Sequence, residues 1–397
     1  MITFDQAVSI VLENCTPSGT VKAGIDGAAG KILAQDVISD TNMPPFNRAA
    51  MDGYAFRAKD AAECGILKIV GTVAAGEVRS KPVPLGGAVR ILTGAPVPED
   101  CDTVLQQEKV ISEKDERITI NAKIEAGMNI ASMGEEIKDG QTVLKKGTIV
   151  TPSVSAVLAQ VGGSSVEIYP VPVAGILTTG SELANPEDKL KKGQTRESNS
   201  RAIYNQCTRF GANPVRLGSA SDNSDSLEEK ISDGLKHDLL VITGGVSVGK
   251  FDLVPDTLKK SGVDILFHKV SQKPGKPILF GKKGNTLVFG LPGNPVAALV
   301  CFELYVGPAI RHLSGEVNFR TEWIDARLES ATPIDTNRTL FKWCKINTSN
   351  GQMQIHPVKS HGSADIMSVA GTDGLARFDE GKYTLGTDVP VKFAYWR

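Results

Sequence analysis

Three loops concentrate residue types that handle phosphates and other oxyanions. The first is Gly244-Gly245-Val246-Ser247-Val248-Gly249, which follows the apolar run Asp238–Thr243 and precedes Lys250 and Asp252. Glycines directly after a buried strand let backbone N–H groups approach an anion, and a following helix adds its positive end. A tight strand-to-helix turn would need the same glycines for its φ angles, and this loop alone does not separate the two readings. It is neither a dinucleotide fingerprint nor a P-loop, because no Gly-Lys-Ser/Thr follows at the required spacing. The second loop, Lys269-Val270-Ser271-Gln272-Lys273-Pro274-Gly275-Lys276-Pro277, is the centre of a segment with eight Lys and three Asp between Lys250 and Lys283. Its proline and glycine make a stiff turn, and three lysines on or beside such a turn create a positive field suited to an oxyanion. The third is Gly290-Leu291-Pro292-Gly293-Asn294-Pro295, between an apolar run and a helical pattern. Asn294 is a good N-cap there and Pro295 fits a first helical turn.

Carboxylates supply the complementary chemistry. Asp52 lies in Asn47-Arg48-Ala49-Ala50-Met51-Asp52-Gly53-Tyr54-Ala55, Glu182 follows Thr178-Thr179-Gly180-Ser181, and Asp222 follows Leu217-Gly218-Ser219-Ala220-Ser221. Together with Asp252 these acids stand beside basic and glycine-rich loops, which is what a Mg²⁺–phosphate site requires. Taken singly, each suits a turn or a cap equally well. The five His, at 237, 268, 312, 356 and 361, form no H-x-x-x-H or H-E-x-x-H pair. A histidine metal site is therefore not expected, nor is a G-x-S-x-G elbow or a Cys–His nucleophile.

The elements that must position these loops alternate. Val173–Thr178, Pro214–Leu217, Asp238–Thr243, Asp264–Val270, Ile278–Phe280 and Leu287–Gly290 read as strands. Asn199–Phe210, Ser224–Leu235, Asp252–Lys260 and Pro295–Ile310 read as helices. The alternation predicts a parallel, doubly wound α/β domain with ligands outside the carboxyl ends of its strands. Phe4–Asn14 reads as a helix opened at Thr3, and Ser153–Val161 as another opened by Thr151-Pro152. From Ser39 to Asp139, short apolar runs separated by Gly, Pro and charged loops predict a β-rich insertion. Within it, Glu99–Glu116 carries seven acidic and two basic residues, as a solvated loop and edge strand would. After His312, Trp323–Leu328, Thr339–Ile346, Gln352–Pro357 and Val389–Tyr395 predict a small β-barrel.

The chain has 397 residues, 41% hydrophobic and 22% charged, which excludes a disordered chain and allows several cores. Forty-four basic residues against forty-five acidic ones weaken a sequence-independent nucleic-acid role. The six cysteines are scattered without a C-x-x-C pair, as buried thiols of a reducing compartment would be. Met1 to Thr20 contains no Lys or Arg and is not read as a secretory signal. The uncharged stretches Gly147–Val166 and Gly284–Phe302 are punctuated by Gly and Pro, so they read as strand, turn and helix rather than membrane spans. A soluble cytoplasmic protein with no nucleic-acid or membrane partner is expected.

The motifs as a set resemble one family, the molybdopterin molybdenumtransferases, which comprises the MoeA proteins and the gephyrin E-domain. The matching stretches are Asn42-Met43-Pro44-Pro45-Phe46, MDGYAF (51–56), TGAPVP (93–98), GEEI (134–137) and TTGSEL (178–183). ESNS (197–200), TGGVSVGKFD (243–252), KPGKP (273–277) and GLPGNPVAA (290–298) continue in the family's order, and SHGSADI (360–366) matches more loosely.

The resemblance implies four parts: a β-rich domain I from 1–38 plus 140–172, an inserted β lobe (domain II) at 39–139, a three-layer, doubly wound, MogA-like α/β domain III at 173–317, and a C-terminal β-barrel (domain IV) at 318–397. It implies a homodimer whose active cleft lies between the α/β domain and barrel of one subunit and the inserted lobe of the other. The implied reaction inserts molybdate into adenylylated molybdopterin. With Mg²⁺, the adenylyl anhydride is cleaved, AMP leaves, and molybdenum is bound by the dithiolene sulfurs. On this reading Gly244, Gly245, Ser247 and Gly249 cradle a phosphate, and Lys269, Lys273 and Lys276 attract phosphates and molybdate. Asp252, Glu182 and Asp222 hold or orient Mg²⁺. Thr93 and Ser363 donate to oxyanions, Pro292 and Asn294 line the substrate site, and Asp52 acts from the partner subunit. Glu136 stands where some members carry Asp, so its reach as a metal ligand is longer. The barrel segment Phe341-Lys342-Trp343-Cys344 lacks the Arg expected in many members, leaving Arg338 or Lys342 as its replacement. Molybdopterin adenylyltransferase and molybdoenzyme apo-proteins are the implied partners.

Three rival readings remain at this point. A molybdopterin adenylyltransferase shares the α/β domain but does not require the inserted lobe. A catalytically inactive dimeric scaffold keeps the fold without needing the acids and lysines. A generic sugar-phosphate or nucleotide-binding α/β protein explains the loops but not the lobe.

Overall fold

The computed structural model describes residues 1–17, 19–220, 224–246, 253–349 and 352–396. Its centre is a six-stranded sheet in the spatial order Asn213–Ala220, Val173–Thr179, Leu239–Thr243, Thr286–Leu291, Leu279–Lys283, Asp264–His268. The first four strands are parallel. The last two are joined by antiparallel pairings, so Leu279–Lys283 runs against the other five, a departure from the all-parallel expectation. The reason is local: only Gly284 and Asn285 separate Leu279–Lys283 from Thr286–Leu291, and a two-residue loop can only close a hairpin.

Residues of the central strands alternate between two cores. Leu239 and Val241 face one layer with Ile203, Cys207 and Val300, while Leu240 and Ile242 face the other with Leu227, Ile231 and Leu258. Helices Asn199–Arg209 and Pro295–Leu313 cover the first face, and Ser224–Gly234 and Val254–Lys260 the second. The three-layer doubly wound arrangement follows from this pattern. Helix Pro295–Leu313 is apolar and long enough to cross a membrane, but 94% of its most apolar window is buried in this core.

The N-terminal helix Phe4–Glu13 starts at a capping box in which Thr3 and Gln6 bond reciprocally. Its apolar face, Phe4, Ala7 and Val11, joins the α/β core. Residues further on pair with the later β segment: Val21–Gly24 with Ser165–Ile168, and Val37–Ile38 with Thr142–Leu144. Between them the inserted lobe forms a six-stranded sheet ordered Thr103–Gln106, Gly53–Phe56, Gly87–Ile91, Ile66–Val73, Arg117–Ile120, Val110–Lys114. Gly53–Phe56 is buried on both faces, which explains the apolar character of the MDGYAF stretch.

At the C-terminus, strands Thr339–Ser349, Gln352–Pro357, Ile324–Leu328, Pro390–Tyr395 and Gly374–Phe378 pair in that order, and the last returns to the first. This closes a five-stranded barrel around Leu328, Cys344, Ile355 and Phe393. Strands Gly374–Phe378, Thr332–Thr336 and Gly381–Leu385 were not legible in the apolar pattern. Gly381–Leu385 alternates half-buried with exposed positions and has no fully buried one, so its apolar signal is weak. Cys15, Cys101, Cys207, Cys301 and Cys344 are buried free thiols, as expected. Burial pushes Cys15 and Cys207 up to about 12, so these thiols stay protonated at neutral pH.

Candidate active site at the carboxyl edge of the sheet

The strand order reverses between Val173–Thr179 and Leu239–Thr243, since the chain leaves the first strand to one side and returns on the other. A crevice opens at such a switch point. Here it is a cavity of about 710 Å³ lined by Glu182, Asn199, Gly244, Gly245, Pro292 and Asn294 among others. Gly244 and Gly245 have φ of +91° and +60°, and a Cβ on either would come within 2.8 Å of Thr179 Oγ1. Both demands, left-handed backbone and close approach, leave only glycine there.

Two strand ends and the start of helix Asn199–Arg209 are tied together. Asn199 Nδ2 donates to Thr243 Oγ1 at 2.9 Å and to the Gly293 carbonyl at 2.8 Å. Thr243 Oγ1 donates to the Pro292 carbonyl at 3.1 Å, and Gly244 N–H donates to the Leu291 carbonyl at 3.2 Å. Asn199 sits inside a motif noticed in the sequence, yet its bridging role carries no sequence signal, because its partners lie far along the chain. Ser247, Gly249, Asp222 and Asp252 lie outside the described residues.

A second cavity, about 1350 Å³, runs from this edge to the barrel and shares Pro277, Pro292 and Asn294 with the first. Lys273, Lys276, Arg338, Lys342 and Lys359 line it against one carboxylate, Asp335. Both alternatives for the missing barrel Arg, Arg338 and Lys342, therefore face the same space. Lys359 went unassigned in the sequence, although it immediately precedes the SHGSADI stretch. The loop carrying Ser363 covers the start of helix Pro295–Cys301. Ser363 O accepts from Val296 N–H at 3.1 Å, and Ser363 Oγ accepts from Asn294 Nδ2 at 2.8 Å. Asn294 is at the N-cap position but makes no side-chain cap bond, because the barrel loop takes both its amide and the helix donor. The hydroxyl proton of Ser363 remains directable toward an oxyanion. Lys269 lies outside both linings; its backbone, at φ +78°, donates to the Ile278 carbonyl and closes the base of the lysine loop.

The inserted lobe holds a separate group. Asp52 Oδ1 accepts from Thr93 N–H at 2.7 Å and from Thr93 Oγ1–H at 2.6 Å. The Thr93 hydroxyl and amide hold the Asp52 carboxyl below the usual carboxylate range although it is exposed. Thr93 thus directs both its donors at Asp52 rather than at a ligand. Glu136 is more than half exposed and pairs with Arg48 at 3.6 Å. Asp52, Thr93 and Glu136 line neither cavity in the single chain. The lobe exposes the apolar side chains Phe46, Met51, Leu92 and Met133, of which Met51 and Leu92 adjoin Asp52 and Thr93 in the chain.

Among the described residues no three His, Cys, Asp or Glu side chains converge as a metal-binding group. Glu182 is nevertheless an exposed carboxylate at the mouth of the glycine turn. A hard cation such as Mg²⁺ binds through one or two carboxylates plus substrate phosphates, so an oxygen donor at this place fits it.

Comparison with known proteins agrees with this layout over the whole chain. Residues 2–162 match the model of the MoeA N-terminal region (domains I and II), residues 175–312 that of a probable molybdopterin binding domain, and residues 325–393 that of the MoeA C-terminal region (domain IV). A molybdopterin molybdenumtransferase of Bacillus subtilis is 35% identical over 401 residues, covering 98% of this chain and 93% of that protein. Another, of Haemophilus influenzae, is 38% identical over 322 residues, covering 81% and 80%. A solved molybdopterin biosynthesis MoeA protein from Pyrococcus horikoshii superposes with a TM-score of 0.84 at 28% identity, covering 100% of both chains. With every segment from the inserted lobe to the barrel matched in order, the chain belongs to the MoeA family of molybdopterin molybdenumtransferases.

Proposed function

We propose that this protein inserts molybdate into adenylylated molybdopterin, cleaving the adenylyl anhydride and releasing AMP, in molybdenum cofactor biosynthesis. One observation carries the reading. A glycine-lined chamber bearing Glu182 and a strongly basic chamber meet at Pro277, Pro292 and Asn294, so one extended substrate can reach both. The glycine turn would receive phosphate oxygens through backbone N–H groups. Lys273 and Lys276, with Arg338 and Lys342, would draw in the phosphates and the molybdate dianion. Ser363 would donate to an oxyanion, and Asn294 would hold Ser363 in place. Glu182, with Asp222 and Asp252, would hold Mg²⁺, whose charge offsets the negative charge on the anhydride oxygens.

Asp52 stays ionised beside Thr93, away from both cavities of its own chain. We assign it to the cleft of a partner subunit in a homodimer, with exposed apolar residues of the lobe such as Met51 and Leu92 as part of the contact. The upstream supplier would be a molybdopterin adenylyltransferase and the acceptors molybdoenzyme apo-proteins, all in the cytoplasm. The test is a single-turnover reaction of purified protein with adenylylated molybdopterin, Mg²⁺ and molybdate. AMP and dithiolene-bound molybdenum are expected to form together and only with molybdate. Turnover of ATP with unadenylylated molybdopterin would assign the preceding step instead, and tight binding without turnover would indicate a scaffold.

A further inference from the structure

We infer that Gln272 and Tyr305 are positioning residues that hold Lys273 and Lys276 at the basic chamber. The inference rests on the lysine loop being the oxyanion-binding element of the proposed reaction.

The loop is short, charged and exposed at its tip, yet its underside is bolted to the core. Gln272 is fully buried, while Lys273 and Lys276 are exposed and line the cavity. The Gln272 side chain is saturated by specific partners. Its Nε2 donates to the Pro274 carbonyl at 3.0 Å, and its Oε1 accepts from the Tyr305 hydroxyl. Cys301, one turn before Tyr305 on the core helix, directs its Sγ to the Gly275 carbonyl at 3.6 Å. The backbone is fixed on two further sides. Gln272 and Lys273 pair in parallel with Thr339 and Leu340 of the barrel. Arg338 Nη1 donates to the Gln272 carbonyl at 3.3 Å, and Ser271 N–H donates to the Ile2 carbonyl at 2.8 Å.

Tyr305 reaches this amide from a widened helical turn, Phe302–Val306, of the kind that often marks a functional position. A buried amide between a helix and a loop is costly unless both its ends are bonded. Its presence beneath a loop whose exposed positions are lysines is explained if the loop must be held in one place. Gly275 completes the arrangement: at φ +95°, a Cβ there would come within 2.7 Å of Gln272 Nε2 and would press on Cys301. The loop can fold over the amide only with glycine at that position.

The experiment measures binding of inorganic pyrophosphate and of molybdate by calorimetry on the full-length protein, with turnover measured in parallel. Tyr305→Phe keeps the buried ring and removes only the hydroxyl. It is expected to weaken pyrophosphate binding about two- to tenfold and to raise KM by a like factor with kcat little changed. Lys273→Met/Lys276→Met sets the full loss. The triple variant Tyr305→Phe/Lys273→Met/Lys276→Met should bind no worse than that pair alone, because Tyr305 acts through the two lysines. A merely structural role would leave the two losses additive, and that result overturns the inference. Unchanged binding in Tyr305→Phe overturns it too, with Gln272→Leu as the second variant in case the phenylalanine ring shifts. A parent protein that binds pyrophosphate but releases no AMP would refute the proposed reaction while the binding constants still decide this inference. A parent protein that binds neither anion would overturn the inference itself.

Discussion

Replacing Gly244 by Ala separates two demands that the turn after Leu239–Thr243 makes on its first residue. The left-handed backbone at φ +91° costs an L-residue about 1–2 kcal/mol. The surroundings add a collision, because the new Cβ would press on the Thr179 carbonyl and lie 2.8 Å from Thr179 Oγ1. Thr179 ends the neighbouring strand and cannot yield without moving the edge of the sheet. The turn must therefore lift by something like an ångström, and a misplacement of that size costs about 100-fold in rate. Gly211 provides the control: its φ is +85°, but no atom lies within 4 Å of its would-be Cβ. Gly211→Ala should lower stability by about 1 kcal/mol and leave kcat/KM for AMP release unchanged. Gly244→Ala should lose stability by more than that and kcat/KM by about 100-fold. Denaturant melts and single-turnover AMP release read the two quantities on the same preparations. Equal kinetic behaviour of the two variants would show that the close approach of the turn plays no part in the site.

Asp52→Ala and Lys273→Met should each be inactive alone and should complement when their subunits are mixed. In a random mixture half the dimers are heterodimers and each carries one intact cleft, so about a quarter of the clefts recover. Activity that stays at the background in a mixture proven by mass to contain heterodimers would place Asp52 outside the cleft. Thr93→Val removes the hydroxyl that is the main cause of the lowered Asp52 pKa. A depressed carboxylate stays ionised until the pH falls through its lowered value, so losing the hydroxyl should move the acid limb of kcat/KM to higher pH. A limb that does not move would exclude Asp52 as the group titrating there. Arg338→Met and Lys342→Met, tested separately, should each raise KM for molybdate, and the pair should weaken its dependence on salt. Identical salt profiles in parent and double variant would refute their role in attracting the oxyanion.

What the sequence reveals depends on whether a feature is local. The apolar runs of the α/β sheet were legible because Leu239–Thr243 and Thr286–Leu291 are buried on both faces, and burial on both faces leaves no polar interruption. The glycine turn, the lysine loop and the GLPGNP turn were legible because their chemistry and their backbone requirement lie within a few residues. The direction of Leu279–Lys283 was missed although the two-residue loop that sets it was in plain view, because apolar periodicity is blind to direction. Asn199 and Gln272 were missed for a different reason. Their partners, Gly293 and Tyr305, are brought in only by folding, and an isolated amide in a sequence has no signature. The Ser363 loop lies between these cases: its residues were noticed, but the exchange by which it caps the helix in place of Asn294 depends on two domains meeting.

The two chambers also divide the electrostatic work in a way that the switch point makes possible. A carboxylate proposed to hold a cation and a cluster of lysines placed at one point would neutralise each other and leave little field for the substrate. Here Glu182 belongs to the end of the first parallel strand, whereas Lys273 and Lys276 hang from a loop between the two antiparallel strands added beyond the last parallel one. The antiparallel extension thus carries the lysine loop across to the barrel, where Thr339 and Leu340 take it up as a further strand. Lys273 and Lys276 consequently share a wall with Arg338 and Lys342, not with Glu182. In the proposed reaction a substrate with an anhydride at one end and a metal-accepting group at the other would be held in both chambers at once, and the departure from an all-parallel sheet is what separates them.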